Sequence, residues 1–130
     1  MKKTSWGFEP ELSDMIGKVF TSVEQVNDDL VFTCLDGVFT FTHNQNCCES
    51  VDIESIVGDL GDLVGSPLLL AEESTSDSNP EGVAVPEYQD SFTWTFYKFA
   101  TIKGYVDVRW YGSSNGYYSE RVDLEFKETK

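Results

Sequence analysis

The sequence predicts a mainly β fold: antiparallel sheets of about seven strands, arranged as a sandwich or half-barrel, with one or two short helical turns. Two observations carry this prediction. Apolar and polar residues alternate along runs rich in β-branched and aromatic side chains, and turn-forming residues separate these runs. A chain of 130 residues, 40% of them hydrophobic, is long enough to bury a core, so we predict one domain over residues 1–130.

The first third predicts a helical turn, a strand and a hairpin. Residues 10–17 begin with Pro and end in Gly, which is typical of a short helical segment. Residues 18–26, which are rich in β-branched side chains, are predicted to follow as a strand. Within residues 30–42, Asp36-Gly37 separates two apolar runs, which predicts a hairpin with a two-residue turn. Its predicted pairs are Leu35 with Val38, Cys34 with Phe39 and Phe32 with Phe41, and its predicted core face is Leu30, Phe32, Cys34, Phe39 and Phe41.

The middle of the chain predicts short elements and one long loop. Residues 51–57 and 68–71 read as short strands, and residues 58–67, bounded by Gly and Pro, read as a turn or a single helical turn. Residues 72–91 are rich in acids, Ser, Pro and Gly and are predicted as a long acidic loop whose second half packs against the protein.

The last third predicts three strands. Residues 91–97 alternate, which places Phe92, Trp94 and Phe96 inward. Residues 104–110 and 117–126 are predicted to form a hairpin. Parity then places Val106, Val108 and Trp110 on one core face with Val122, Leu124 and Phe126, and sets Arg109 opposite Arg121 on the other face.

The charge of the chain is segregated. Its net charge is −14, yet no Lys or Arg lies between Lys18 and Lys98, a stretch that holds 15 of the 23 acids. A protein that binds nucleic acid by neutralising phosphates needs a basic stripe, so that class is excluded, and attachment to anionic lipid is disfavoured. Three cysteines, two of them adjacent, do not form a disulfide framework, which favours a reducing cytoplasm.

The acidic middle is the first candidate for a site. An array of carboxylates without intervening bases resembles the phosphates of DNA or RNA and associates quickly, in a salt-sensitive way, with the basic groove of a partner protein. The alternative is that these acids serve only solubility. The residues predicted to bind the partner are Glu49, Asp52, Glu54, Asp59, Asp62, Glu72 and Glu73.

The polar face of the predicted C-terminal hairpin is the second candidate. Tyr rings offer flat stacking surfaces and Arg offers a bidentate cation, a combination suited to a small nucleotide. The alternative is a solvated sheet face with ordinary cross-strand pairs. The residues of this predicted ligand site are Tyr105, Arg109, Tyr111, Tyr117 and Arg121.

A metal site at His43, Cys47 and Cys48, with Cys34 nearby, is the third candidate. Thiolate and imidazole suit zinc, but structural zinc sites use cysteines spaced by two to four residues, which are absent here. The alternative is that Cys34 fills the core and the adjacent pair anchors a loop. A Cys/His nucleophile is disfavoured because the surrounding acids raise a thiol pKa. No catalytic motif is found, so we predict no enzyme and no cofactor.

Two blocks of the sequence resemble a small uncharacterised family of phage and prophage proteins. The first is H-x-x-x-C-C-E at residues 43–49, continued by G-D-L-x-D-L-x-G at residues 58–65. The second joins residues 88–98 to W-Y-G-x-S-N-G-Y-Y-S at residues 110–119, so the resemblance spans residues 17–126. That family often has Asp before the Cys pair, where this chain has Asn46, and the missing carboxylate weakens the metal interpretation.

The resemblance implies an accessory protein in the cytoplasm of an infected bacterium. Together with the charge, it leads us to expect a non-enzymatic protein that acts by binding, as an acidic inhibitor of a host defence protein with a basic surface. A sponge for a cyclic or ADP-ribose-type nucleotide and a small metal-binding protein are the alternatives. No direct contact with nucleic acid or membrane is expected.

Overall fold

The computed structural model describes residues 1–4, 7–83, 90–116 and 118–129. These residues form two 3-10 helices, Leu12–Met15 and Leu60–Leu63, and ten strands. The strands are β1 (Lys2–Thr4), β2 (Gly7–Glu9), β3 (Phe20–Val26), β4 (Asp29–Cys34), β5 (Gly37–Thr42), β6 (Ser50–Val57), β7 (Leu70–Ser76), β8 (Ser91–Thr101), β9 (Gly104–Ser114) and β10 (Asp123–Glu128).

Two four-stranded antiparallel sheets form the body of the protein. The first sheet has the order β10-β5-β4-β3 and the second has the order β6-β9-β8-β7, while β1 and β2 make a separate ribbon. These two sheets confirm the prediction of a mainly β fold. They are not closed into a barrel and pack against each other as a sandwich. The predicted helical turns are both present, as the two 3-10 helices.

Aromatic rings from the two sheets meet in the core. Phe32 and Phe41 of the first sheet contact Phe99 of the second with ring centroids 4.9 and 5.4 Å apart, and Phe41 lies 4.7 Å from the ring of Tyr97. All four residues are buried. Tilted and edge-to-face rings at these distances are favourable, so this cluster joins the sheets.

The β4–β5 hairpin has the predicted core face but not the predicted register. Leu30, Phe32, Cys34, Phe39 and Phe41 are all buried, whereas Phe32 pairs with Phe39 instead of Phe41. The shift is two residues, which preserves every face because side chains alternate with period two. Gly37 is used for a close approach rather than for a tight turn: a Cβ there would lie 2.3 Å from the Lys127 carbonyl oxygen of β10.

The prediction of a loop over residues 72–91 is wrong at its start, because residues 72–76 belong to β7. Among the described residues this strand lies at the edge of the second sheet and pairs with β8, for example Glu72 with Lys98. An edge strand tolerates polar side chains, so its composition resembles that of a loop. Residues 77–83 and 90 are irregular, and residues 84–89 lie outside the described part of the chain.

The inward face of β8 is the opposite of the predicted one. Tyr97 and Phe99 point into the core, and Trp94 and Phe96 point to the outer face of the second sheet. Both faces of this strand carry aromatic rings, so alternation alone does not distinguish them. Trp94 is nevertheless only 1% exposed, because Asn79 accepts a hydrogen bond from its indole nitrogen at 3.0 Å and Arg109 lies over its ring.

The predicted C-terminal hairpin is wrong as well. Strand β9 pairs with β6 and β8 in the second sheet, whereas β10 pairs with β5 in the first, so residues 118–122 lie where the chain passes from one sheet to the other. We call residues 118–122 the crossover. The predicted core residues are still inward: Val106, Val108, Trp110 and Val122 are buried, and Leu124 and Phe126 pack against the same core. The alternation of side chains therefore predicted which residues point into the core, but it did not predict which strand lies beside β10.

Replacing Phe99 should cost far more than replacing Phe96 on the same strand. Phe99→Ala removes a fully buried ring between the sheets, and such truncations cost about 3–5 kcal/mol of the free energy of unfolding. Phe96→Ala removes a partly exposed ring from the outer face and should cost about 1 kcal/mol. Chemical denaturation of both variants measures the difference. Equal losses, or a larger loss for Phe96→Ala, would contradict the assignment of the inward face.

Candidate functional site

The segment between β5 and β6 folds around a buried carboxylate. The side chain of Glu49 has no exposed surface, and it accepts hydrogen bonds from the backbone N–H groups of Asn46 at 2.8 Å and Cys47 at 2.9 Å. Gln45 donates from its amide nitrogen to the backbone carbonyl of Glu49 at 2.5 Å. Residues 44–49 therefore form a turn closed on the side chain of its last member.

His43 connects this turn to the crossover. Its Nε2 lies 2.8 Å from the Glu49 carboxylate, and its Nδ1 lies 2.7 Å from the carbonyl oxygen of Arg121. A carbonyl oxygen and an ionised carboxylate both accept hydrogen bonds, so each ring nitrogen of His43 lies within hydrogen-bond distance of an acceptor. The imidazole thus links the end of β5, the start of β6 and the crossover.

Hydrogen bonding decides the charge state of Glu49. Burial raises the pKa of this carboxyl, but the donors of Cys47, Asn46 and His43 outweigh burial and lower the pKa from 4.5 to about 2. The group is therefore a carboxylate throughout the physiological range, and its donors are held in place by its charge.

The structure does not bring His43, Cys47 and Cys48 together as a metal site. Both nitrogens of His43 are already engaged, and Cys47 and Cys48 are joined in a vicinal disulfide, which the sequence did not lead us to expect. Cys34 is buried in the core, as the alternative interpretation held. Within the described ranges, no three His, Cys, Asp or Glu side chains are grouped so that they are able to hold a metal ion.

A second buried carboxylate fixes the other end of the crossover. Glu120 accepts hydrogen bonds from the hydroxyls of Thr93 at 2.8 Å and Ser114 at 2.5 Å, one on each of its two oxygens. Gly112 allows the crossover to lie against β9, since a Cβ at this position would be 2.7 Å from the Glu120 carbonyl oxygen. Sequence reasoning missed Glu120 because its partners are distant in the chain.

The predicted Tyr/Arg site is not assembled. Arg109 lies on the outer face of the second sheet, where its Nε donates to Glu54 at 2.5 Å and its guanidinium lies 5.5 Å from the Trp94 ring. Arg121 belongs to the crossover, because the hairpin that would set it opposite Arg109 does not exist. Tyr111 contacts Trp94 at 4.6 Å, Tyr105 is 66% exposed, and Tyr117 lies outside the described residues.

The predicted acidic residues are spread over four places. Asp52 and Glu54 lie on β6 and Glu72 and Glu73 on β7, the two edge strands of the second sheet. Asp59 caps the second 3-10 helix by accepting the Gly61 N–H at 2.8 Å, and Asp62 lies in that helix. Glu49 is unavailable to a partner because its side chain is buried, so its assignment to the binding surface is wrong.

A cluster of rings on the outer face was also missed by the sequence. The Tyr111 ring contacts those of Phe92 and Trp94, with centroid distances of 6.3 and 4.6 Å, and the Arg109 guanidinium lies over the Trp94 ring. The signal was the clean alternation of residues 91–97, which we assigned to the core. None of the described helices has the length and apolar character that crossing a membrane requires.

These features define a two-sheet β-sandwich whose crossover is held by buried carboxylates. Over residues 13–124 the chain matches the model of a domain of unknown function, DUF7448, and it belongs to that family. This confirms the resemblance to an uncharacterised family. No curated protein and no solved structure matches the chain.

The turn around Glu49 should give the protein a distinct acid response. The pKa of Glu49 is lower in the folded chain than its ordinary value of 4.5, so the unfolded chain binds the proton more tightly and folding stability is lost as pH falls from about 4.5 to about 2. Glu49→Gln should therefore be less stable than the wild type at pH 7, and the gap in the free energy of unfolding should narrow across that window.

Urea denaturation of both proteins between pH 7 and pH 2 measures this gap. Asp52→Asn is the matched control, because it removes an exposed carboxylate from β6 and should change stability at pH 7 by less than about 0.5 kcal/mol. A gap between wild type and Glu49→Gln that stays constant down to pH 2 would show that Glu49 is not held as a carboxylate by its donors.

Proposed function

We propose that this protein is a non-enzymatic phage accessory protein that acts by binding in the cytoplasm of the infected host. Its partner is a host defence protein with a basic, nucleic-acid-binding surface, which the acidic surface of the second sheet occupies as an inhibitor. The observation that carries the proposal is the placement of the acids on both edge strands of one sheet, at Asp52 and Glu54 of β6 and at Glu72 of β7.

The spacing of these strands supports imitation of nucleic acid. Strands β6 and β7 are separated by three interstrand steps of about 4.8 Å each, so the two rows of acids lie about 14 Å apart. This separation is close to the width of the DNA major groove, about 12 Å, across which rows of phosphates face a binding protein. A basic surface shaped for two phosphate rows therefore meets two carboxylate rows here.

The acids on this face of the sheet outnumber the cations that lie beside them. Arg109 forms an ion pair with Glu54 at 2.5 Å, and Lys98 lies opposite both Glu72 and Asp107, so Asp52 and one of the two acids beside Lys98 remain uncompensated. Lys98 also lies 6.0 Å from the Tyr105 ring. An acidic face of this kind steers a basic partner into an encounter and raises the association rate. We do not propose the nucleotide or metal alternatives, because their residues are not brought together.

Expression of the chain should rescue a sensitive phage in bacteria that carry a defence system with a nucleic-acid-binding effector. The measurement is plating efficiency on a panel of strains that each carry one such system. Asp52→Asn with Glu72→Gln, which neutralises one acid on each edge strand, should abolish the rescue because it removes charge from both rows.

The matched control is Glu24→Gln with Glu125→Gln, which makes the same charge change on exposed positions of the first sheet and should keep the rescue. For the rescued strain, the association rate of the purified effector should fall as NaCl rises from about 0.01 to 0.15 M, since the Debye length shrinks from about 30 to 8 Å. A rate independent of salt, or equal loss in the control, would overturn the proposal.

A further inference from the structure

A cleft of about 270 Å³ opens between the two sheets, on the side where β7 and β8 face the crossover and β10. Phe41 and Leu124 form its apolar floor, and polar side chains line its walls. The volume is below the 300–1,000 Å³ that typical drug-sized ligands occupy, so the cleft suits a small molecule.

Thr95 supplies a hydroxyl on the wall of this cleft. The residue is 3% exposed and lines the cleft, yet its hydroxyl makes no hydrogen bond within the described ranges. The hydroxyl both donates and accepts hydrogen bonds, so it is able to bond a molecule that enters the cleft. Thr93, its neighbour on the same face of β8, is by contrast already bonded to Glu120.

A carboxylate and a buried phenol lie beside this hydroxyl. Glu73 lines the cleft and accepts the hydroxyl proton of Tyr97 at 2.5 Å. Burial, followed by the carboxylate of Glu73, raises the pKa of Tyr97 above its usual range, so the phenol remains a donor. It therefore orients Glu73 while the carboxylate keeps acceptor capacity for a ligand.

Arg121 provides the opposite charge at the same cleft. No ion pair joins its guanidinium to a carboxylate in the part of the chain that the structure describes, in contrast to Arg109 with Glu54 and Lys18 with Asp36. Its backbone is anchored because the carbonyl accepts from His43, which fixes where the side chain starts. Asp123, two residues later, also lines the cleft.

We propose that this cleft binds a small zwitterion of the α-amino acid type. The ligand's carboxylate pairs with Arg121, its ammonium group with Glu73 and Asp123, and its side chain packs on Phe41 and Leu124. The Thr95 hydroxyl hydrogen-bonds the ligand between the two charged ends. A single-charge ligand fits less well, because a cation meets Arg121 and an anion meets the carboxylates without compensation.

Ligand-observed NMR on the full chain tests this with a panel of the twenty amino acids. Each amino acid that binds is compared with its decarboxylated amine and its deaminated acid, for example leucine with isopentylamine and 4-methylpentanoate. The expected result is binding of at least one amino acid, with affinities for both single-charge analogues at least tenfold weaker. No binding by any amino acid, or equal binding by either analogue, would overturn the zwitterion proposal.

Variants locate the site independently of the acidic surface. Arg121→Gln should weaken binding at least tenfold, and the near-isosteric Thr95→Val should weaken it severalfold while leaving the chain folded. Arg109→Gln removes the other arginine, on the outer face of the second sheet, and should leave the affinity unchanged. If Arg109→Gln weakens binding as much as Arg121→Gln, or if neither Arg121→Gln nor Thr95→Val changes it, the ligand does not occupy this cleft.

Discussion

The crossover, residues 118–122, is held between two buried carboxylates, and the arrangement of both sheets depends on it. Glu120 fixes it to the second sheet through Thr93 and Ser114, and His43, oriented by Glu49, fixes the Arg121 carbonyl to the first. A carboxylate surrounded by donors is stable in a buried site, whereas the loss of one partner leaves an expensive unpaired group. Strand β10 can therefore join the first sheet while β9 remains central in the second.

The residues that carry the family resemblance lie at the junctions of this sandwich. In the first block, His43 and Glu49 close the turn that enters β6, and Asp59 caps the 3-10 helix that follows that strand. In the second block, Gly112 makes room for the crossover and Ser114 holds Glu120. The positions of these residues are explained by backbone geometry and hydrogen bonds.

The alternation of side chains predicted faces and failed to predict neighbours. It placed Phe32 and Phe39 inward and still misplaced their pairing by two residues, because a shift of two leaves every side chain on the same face. It placed Val108 and Leu124 in one core, as observed. It also predicted that their strands are neighbours in one sheet, whereas β9 lies in the second sheet and β10 in the first. Which strand lies beside which is set by long-range packing that no local pattern contains.

The alternation also failed where both faces of a strand carry aromatic rings. On β8, Phe92, Trp94 and Phe96 alternate with Thr93, Thr95 and Tyr97, and the decision depends on Phe99, beyond the run that the prediction used. The predicted Tyr/Arg site failed because it depended on a wrong strand neighbour. Arg109 and Arg121 share a parity, yet they lie on opposite sides of the second sheet because β10 left it.

The acids of the second sheet also have a consequence for self-association. Edge strands expose unpaired backbone groups that are able to pair with a second copy of the chain, and charged side chains on such strands oppose that pairing. Glu72 and Glu73 on β7 and Asp52 and Glu54 on β6 would face their own copies across any edge-to-edge contact. Repulsion between like charges disfavours such a contact, and the same charge attracts the basic partner that we propose.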